Sequence, residues 1–472
     1  MKFNISSLMA GKKCRLLQYM AGIGANIGVI STYMHYGWTS PYIPVLQSGN
    51  YTFEITSDEA SWLTVVILAG AILGAIVSSF AVKFLGQKFL IVFSSIPLFI
   101  SWISIAVARS IVLLFIGRFL AGFADGLFFT IVPMYLSEIA DPDIRGILSS
   151  LFPVFSVVGL LLMSILGAYL PIDTVGYIGT LLPILLFLTF SWMPESPYYF
   201  VSKGEIEDAR RSLQKLRAKD DVNEELERIS EGMRQQNDNK SSAFDLVLVK
   251  SNRRALIITL GLRGIQQLSG APVIIFYCET IFQESGGAIS SEVAAMIYFS
   301  VQLLSAAISS YIVDTTGRRP LLILSTFGAS LALFVLASYF YMKINIGVDI
   351  TQFSYVPVIA LLCFVIVYSI GLQNIPLVMM GEIFATNVKA TALGLMDIYY
   401  GILVTLTSKF FHWTNEEYGM HVPFLIFASC CLIGVIFIVL CVPETKGKSL
   451  EEIQIQLRDG KPVAKELDME LS

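Results

Sequence analysis

A chain of 472 residues that is 55% apolar and only 14% charged, with a mean hydropathy of +0.69, is too hydrophobic for a soluble globule and reads as a polytopic membrane protein. Its 32 basic and 36 acidic residues leave a formal net charge of −4, so no basic surplus points to nucleic acid as a partner. The six cysteines lack metal-ligand spacing and read as unpaired, and His35, His412 and His421 are scattered. Neither a metal centre nor a cofactor is expected, and an intramembrane enzyme is disfavoured.

In chain order, residues 1–17 form a short polar head, and the apolar run that follows is longer than the core of a signal peptide. At about twenty residues per crossing, apolar segments fall near 18–46, 60–82, 89–108, 111–136, 147–170, 175–193, 255–282, 292–313, 320–342, 354–380, 390–411 and 422–442. The predicted fold is therefore all-α, with twelve transmembrane helices in two bundles of six, 18–193 and 255–442. Residues 194–254 form a hydrophilic central loop. Twelve Lys or Arg residues there are interleaved with Leu213, Leu216 and Leu226, which predicts short amphipathic helices. A tail of 443–472 follows the last span.

Orientation follows from the basic residues. With the central loop and both termini in the cytoplasm, only Arg109, Lys343 and Lys409 lie in outer loops, as the positive-inside rule requires. Asn50 then faces outward within Asn50-Tyr51-Thr52, a sequon placed for glycosylation.

The two halves carry matching marks. Glu138 precedes Arg145 by seven residues, and Glu382 precedes Lys389 by the same interval; Pro194-Glu195-Ser196 closes the sixth span and Pro443-Glu444-Thr445 the twelfth. Gly86-Gln87-Lys88 and Gly317-Arg318-Arg319 follow the second and eighth spans. Three paired marks in one order indicate a duplicated six-helix unit, the parallel repeat of alternating-access transporters, so the bundles are expected to be pseudo-symmetric.

The seventh span is the most informative stretch. From Arg263 to Phe282 it is apolar enough to cross a bilayer, yet it holds the adjacent amides Gln266 and Gln267 and the interruption Ser269-Gly270-Ala271-Pro272. Polar side chains and broken helix at membrane depth persist where protein or a watery path satisfies them, which marks a solute path or a proline-kinked packing helix.

The runs Gly117-Arg118-Phe119 with Gly122, Gly126, Pro133, Tyr135, Glu138, Arg145 and Gly146; Pro194-Glu195-Ser196-Pro197; Gln266-Gln267-Leu268-Ser269-Gly270; Asp314-Thr315-Thr316-Gly317-Arg318-Arg319; and Pro443-Glu444-Thr445-Lys446-Gly447 closely resemble the sugar porter family of the major facilitator superfamily. The resemblance spans about 18–455. Thr39-Ser40-Pro41, Ser61-Trp62 and Pro153 look most like the insect trehalose-transporter-like members.

This resemblance implies a small-molecule sugar, a hexose or a trehalose-like disaccharide, carried by a lipid-embedded monomer of the plasma membrane. Gln266, Gln267 and Gln302 match the sugar-binding amides, a side chain suited to hydroxyls because it both donates and accepts. Departures accompany the match: Pro272 stands where the family has Asn, Gly371-Leu372-Gln373-Asn374-Ile375-Pro376-Leu377 replaces the proline-rich motif of the tenth span, and Tyr400-Gly401 replaces Asn-Trp. Gln373, Asn374, Tyr368 and Tyr400 could form a replacement set or pack.

Glu138, Arg145, Glu195, Asp314, Arg318, Arg319, Glu382, Lys389 and Glu444 are expected to bridge the bundles in one state and part in the other, as gating charges. Lys83 and Gln87 depart from the family's acid and Arg, so the lock of the amino-terminal half should be the weaker. Close pairs Gly70/Gly74 and Gly122/Gly126 are expected to permit tight helix packing. The proton-coupled relatives use an Asp in the first span beside the Arg that matches Arg118; no acid precedes Glu54 here, which predicts facilitated diffusion. Asp125 with Arg118 is the rival coupling pair. A proton-coupled sugar or polyol symporter and a non-transporting nutrient sensor are the alternatives.

Overall fold

The computed structural model describes residues 5–49, 51–141, 143–238, 245–287, 289–347, 351–384, 386–448 and 450–459. Every regular element among them is helical. The first six expected spans correspond to α1 (Ile5–Gln47), α2 (Ser57–Leu85), α3 (Gln87–Phe93) with α4 (Ser95–Ala106), α5 (Ile111–Ile139), α6 (Arg145–Tyr169), and α7 (Ile172–Gly179) with α8 (Leu181–Phe190). The divisions at Ser94 and Thr180 are slight, since both residues keep right-handed helical dihedrals.

The central loop folds into α9 (Pro197–Lys203), α10 (Ile206–Arg217), α11 (Asn223–Asp238) and the single turn α12 (Asp245–Leu248). Next come α13 (Lys250–Leu268) and α14 (Ala271–Ser285), α15 (Ser291–Thr316), α16 (Arg318–Tyr341), α17 (Val356–Ile370) and α18 (Ile375–Ile383), α19 (Thr386–Tyr418), α20 (His421–Cys441) and α21 (Leu450–Asp459). Ten helical stretches among the described residues are long and apolar enough to cross a membrane. The other two expected spans are the first, within α1, which buries Gln18, Asn26, Ser31, Thr32, His35, Thr39 and Ser40, and the seventh, which is cut at Ser269-Gly270.

By contacts the chain forms two compact units, and they do not follow the covalent halves throughout. One comprises Met1–Asp238 with Ile275–Ile281 and Ser291–Leu303; the other comprises Asn239–Ile274, Phe282–Ser290 and Leu304–Ser472.

Within the first unit, α2 and α5 meet backbone to backbone. A Cβ on Gly122 would lie 1.8 Å from the carbonyl oxygen of Ile67, and one on Gly126 would lie 2.1 Å from that of Ala71. Beside this crossing the fully buried Arg118 of α5 donates from Nε to Leu63 O at 2.7 Å, from Nη1 to His35 O at 2.7 Å and from Nη2 to Thr64 O at 3.4 Å. Its guanidinium also stands 5.5 Å from the centre of the Trp38 ring. One cation on α5 thus binds two further helices, α1 and α2, through their backbone carbonyls, which avoids an unsolvated charge in the interior.

The central-loop helices dock on this same unit. Arg217 of α10 donates to Ile139 O at 2.8 Å and pairs with Asp141 at 3.1 Å and Glu225 at 2.7 Å. Gln18 of α1 donates to Leu216 O at 3.1 Å and accepts from the Asp141 amide at 2.9 Å. Among these helices Ala209, Leu213, Val222, Leu226 and Ile229 form a small core of their own, and Leu216 joins a larger core of the unit.

Candidate functional site

In the second unit two broken helices are knitted together by side chains. The break between α13 and α14 falls at Gly270, whose φ of +79° lies in the left-handed region that glycine enters without a Cβ penalty. The break between α17 and α18 runs from Gly371 to Asn374, where a Cβ on Gly371 would lie 2.6 Å from Leu321 O. Helix breaks leave backbone groups without intrahelical partners, and at membrane depth these need protein donors and acceptors.

Side chains supply them. Leu372 N donates to Ser325 Oγ at 2.9 Å. Gln266 Nε2 donates to Leu372 O at 2.9 Å and to Gln373 O at 2.8 Å. The other end of the same amide, Oε1, accepts from Arg263 Nη1 at 2.8 Å and from Gln267 Nε2 at 3.1 Å. Ser369 donates to Gln373 Oε1 at 2.9 Å, Asn374 Nδ2 donates to Ser309 Oγ at 3.4 Å, and the Arg263 guanidinium lies 5.3 Å from the centre of the Tyr400 ring.

Five of the six residues singled out for binding, Gln266, Gln267, Gln373, Asn374 and Tyr400, therefore belong to one polar region of the second unit. Gln302 lies in the stretch of α15 grouped with the first unit; its Oε1 is buried and has no hydrogen-bond partner in the structure. Sequence reasoning left Arg263 out of the binding set. Its spacing was the available signal, because a charged residue three positions before Gln266 shares that helix face.

The paired charges form two matching boxes, one in each unit. In the first, Gly86 has φ +83° and Glu195 accepts from the backbone amides of Gln87 and Lys88, each at 3.1 Å, at the start of α3. Glu138 accepts from Gln87 Nε2 at 2.8 Å and from the Ser196 hydroxyl. In the second, Gly317 has φ +103° and Glu444 accepts from the amides of Arg318 and Arg319, each at 3.0 Å, at the start of α16. Glu382 accepts from Arg318 Nη2 at 2.9 Å and from Thr445 Oγ1 at 2.6 Å.

Carboxylates belong at these helix starts because unpaired N–H groups point at them. Burial pushes the Glu195 carboxyl above the ordinary carboxylate range, partly offset by bonds from Ser196, Lys88 and Gln87. At Glu444 burial also pushes upward, but four backbone donors outweigh it and hold the group below that range. Lys389 donates to Gly381 O at 2.7 Å and Arg319 to Val439 O at 2.6 Å. The side chains of Arg145 and Asp314, and residue Asn50, lie outside the described residues.

Arg118 and Asp125 do not pair with each other in this structure. The three hydrogen bonds of Arg118 all go to backbone carbonyls, and Asp125 Oδ2 accepts from the Tyr36 hydroxyl at 2.9 Å.

The chain matches the family described as "Sugar (and other) transporter" over residues 20–457. It is 32% identical over 444 residues to the facilitated trehalose transporter Tret1 of Bombyx mori, covering 94% of this chain and 87% of that one. Against Tret1 of Culex quinquefasciatus it is 32% identical over 446 residues, with 94% and 86% covered. Among solved structures it is similar to the inward open xylose transporter XylE from E. coli, with a TM-score of 0.77 and 19% identity over 93% of this chain and 99% of that one. The proton:xylose symporter XylE bound to 6-bromo-6-deoxy-D-glucose gives a TM-score of 0.72 at 19% identity, over 94% and 99% of the two chains. Identity that low speaks to the fold alone.

Proposed function

Because this chain belongs to the sugar (and other) transporter family and has the twelve-helix major facilitator fold, we propose that it carries trehalose or a hexose across the plasma membrane by facilitated diffusion. It is a multi-pass membrane transporter of sugars rather than an enzyme. The observation that carries the substrate proposal is the nearly full-length similarity to facilitated trehalose transporters, joined to two broken helices whose amides gather in one region. Gln267, Gln373, Asn374 and Tyr400 supply the groups for hydroxyl recognition, with Gln266 beside them, and Gln302 of the first unit is a further candidate. The carboxylate boxes around Glu138, Glu195, Glu382 and Glu444, with Arg318, Arg319 and Lys389, are the parts that rearrange between states, together with Arg145 and Asp314. Both termini face the cytoplasm, Asn50 carries the glycan, and the carrier works as a monomer among lipids.

The absence of driven accumulation is supported by the surroundings of Arg118. Its hydrogen bonds run to carbonyls, and among the described residues no carboxylate is hydrogen-bonded to it. The deciding experiment is uptake of labelled trehalose and glucose into proteoliposomes with and without an imposed pH gradient. Uptake should reach the external concentration in both cases. Accumulation above equilibrium that a protonophore abolishes and Asp125→Asn removes would replace this proposal with a proton-coupled one.

A further inference from the structure

An amide side chain has a fixed capacity of two N–H donors and two acceptor positions. At Gln266 all four are filled by this chain: both donors serve the carbonyls of the α17–α18 break, and the oxygen receives Arg263 and Gln267. The orientation is fixed from both sides, because Leu372 O and Gln373 O accept only N–H groups and Arg263 only donates. A residue so committed has nothing left for a sugar hydroxyl. Gln267 commits a single N–H to its neighbour, and its described bonds use neither its second N–H nor its carbonyl oxygen.

We propose that Arg263 and Gln266 form a clasp that ties the break of the tenth span to the seventh, and that Arg263 is a specificity-setting positioning residue. By occupying the carbonyl of Gln266 it turns that amide toward Leu372 and Gln373 and so withdraws it from the solute. Recognition in this span then falls to Gln267. The clasp stands in place of the helical donors that a continuous tenth span would supply to its own carbonyls, while Ser325 satisfies the amide of Leu372 from α16. Arg263 is buried and stacked against Tyr400, so its guanidinium can hold one amide orientation rather than sample several. With Arg263 removed, Gln266 can turn its oxygen away from Gln267 and present a free acceptor, adding a polar group to the set that a sugar meets.

The specificity half of this proposal rests on the sugar-carrier function; the clasp does not. Two measurements on the full-length protein therefore separate them, using Arg263→Met, Arg263→Lys and Gln266→Glu, each checked for a monodisperse fold. The first is hydrogen–deuterium exchange of the segment 371–378. Arg263→Met and Gln266→Glu should speed its exchange by roughly tenfold, equivalent to about 1.4 kcal/mol of local opening, while Arg263→Lys, which keeps a donor for Gln266, should stay near wild type. The second is the KM of labelled trehalose against that of labelled glucose in proteoliposomes. Arg263→Met should change the ratio of the two KM values by about fivefold or more with maximal rates within about twofold, and Arg263→Lys should restore the ratio. Unchanged exchange in both Arg263→Met and Gln266→Glu would overturn the clasp. Faster exchange with an unaltered KM ratio would overturn the specificity role and leave Arg263 a packing residue. Should the wild type move neither sugar, the carrier assignment itself fails, and that failure is visible without any variant.

Discussion

Replacing Gly122 by Ala puts a methyl group where the α2–α5 crossing has no room. Its Cβ would lie 1.8 Å from the Ile67 carbonyl oxygen and 2.7 Å from the carbonyl carbon, whereas comfortable C···O contacts are about 3.3–3.6 Å. Both clashing atoms are backbone, so no rotamer change relieves them, and the helices must part by roughly 1.5 Å, the shortfall from that contact distance. Arg118 sits one turn before Gly122 and binds Leu63 O, one turn before Ile67, at 2.7 Å. The same separation therefore stretches that bond beyond hydrogen-bonding range. Overpacking costs about 1–3 kcal/mol, and a lost hydrogen bond from a buried cation adds about 1.5–3 kcal/mol. Together they predict a melting temperature lowered by about 5–10 °C, read by thermal denaturation in detergent. Gly146→Ala is the control, because nothing lies within 4 Å of a Cβ there. If the two variants melt within about a degree of each other, well inside that predicted shift, the backbone contact does not limit the approach of these helices.

Three further outcomes follow from the site and the boxes. Gln267→Ala should reduce sugar uptake strongly, by roughly tenfold from the loss of one amide's hydrogen bonds, while the amount of protein at the surface stays at the wild-type level; unchanged uptake kinetics would remove Gln267 from the binding set. Glu195 holds its proton more tightly in the fold than at the ordinary carboxylate value of 4.5, so its contribution to stability is present below that pH and is lost as the pH rises through its folded pKa. Compared with Glu195→Gln, the wild type should therefore lose melting temperature as the pH climbs above 4.5, and parallel profiles would argue against it. Lys83→Asp with Gln87→Arg should strengthen the first box and shift the resting population outward, measured as faster labelling of a cysteine introduced on the outer side; unchanged labelling would contradict the lock.

Much of the architecture was legible because it depends on local spacing. The helix breaks at Ser269-Gly270 and Gly371–Asn374 announce themselves through glycine and proline, and the boxes through intervals that recur in both halves. Gly86 and Gly317 both adopt positive φ at helix starts, and Glu195 and Glu444 both cap those starts, so the duplicated motifs correspond to duplicated local geometry. Partners chosen across the fold were not legible. That Gln266 would spend both donors on Leu372 and Gln373 depends on a contact between residues more than a hundred positions apart. The sequence marked Gln266 as polar at depth and could not say whether a hydroxyl or a carbonyl would receive it. The grouping of Ile275–Ile281 with the first unit is likewise a matter of tertiary packing, to which covalent order is blind.

The two boxes also differ in a way that bears on how they would open. Glu382 is held by the guanidinium of Arg318 and by a threonine hydroxyl, whereas Glu138 is held by the neutral amide of Gln87 and by a serine hydroxyl. Both acceptors are carboxylates, but only at Glu382 does the donor also carry a charge, which adds ion-pair attraction to the hydrogen bond, and at half-buried positions that attraction is only partly screened. The caps show the same bias. Four backbone donors hold the Glu444 carboxylate below its ordinary range, while burial wins at Glu195 and pushes that group upward. Both members of the amino-terminal box are thus more weakly held than their carboxy-terminal counterparts. On the proposed reading that these boxes rearrange between states, the amino-terminal box costs less to open, and it is there that a single substitution at Gln87 has the most leverage over the equilibrium.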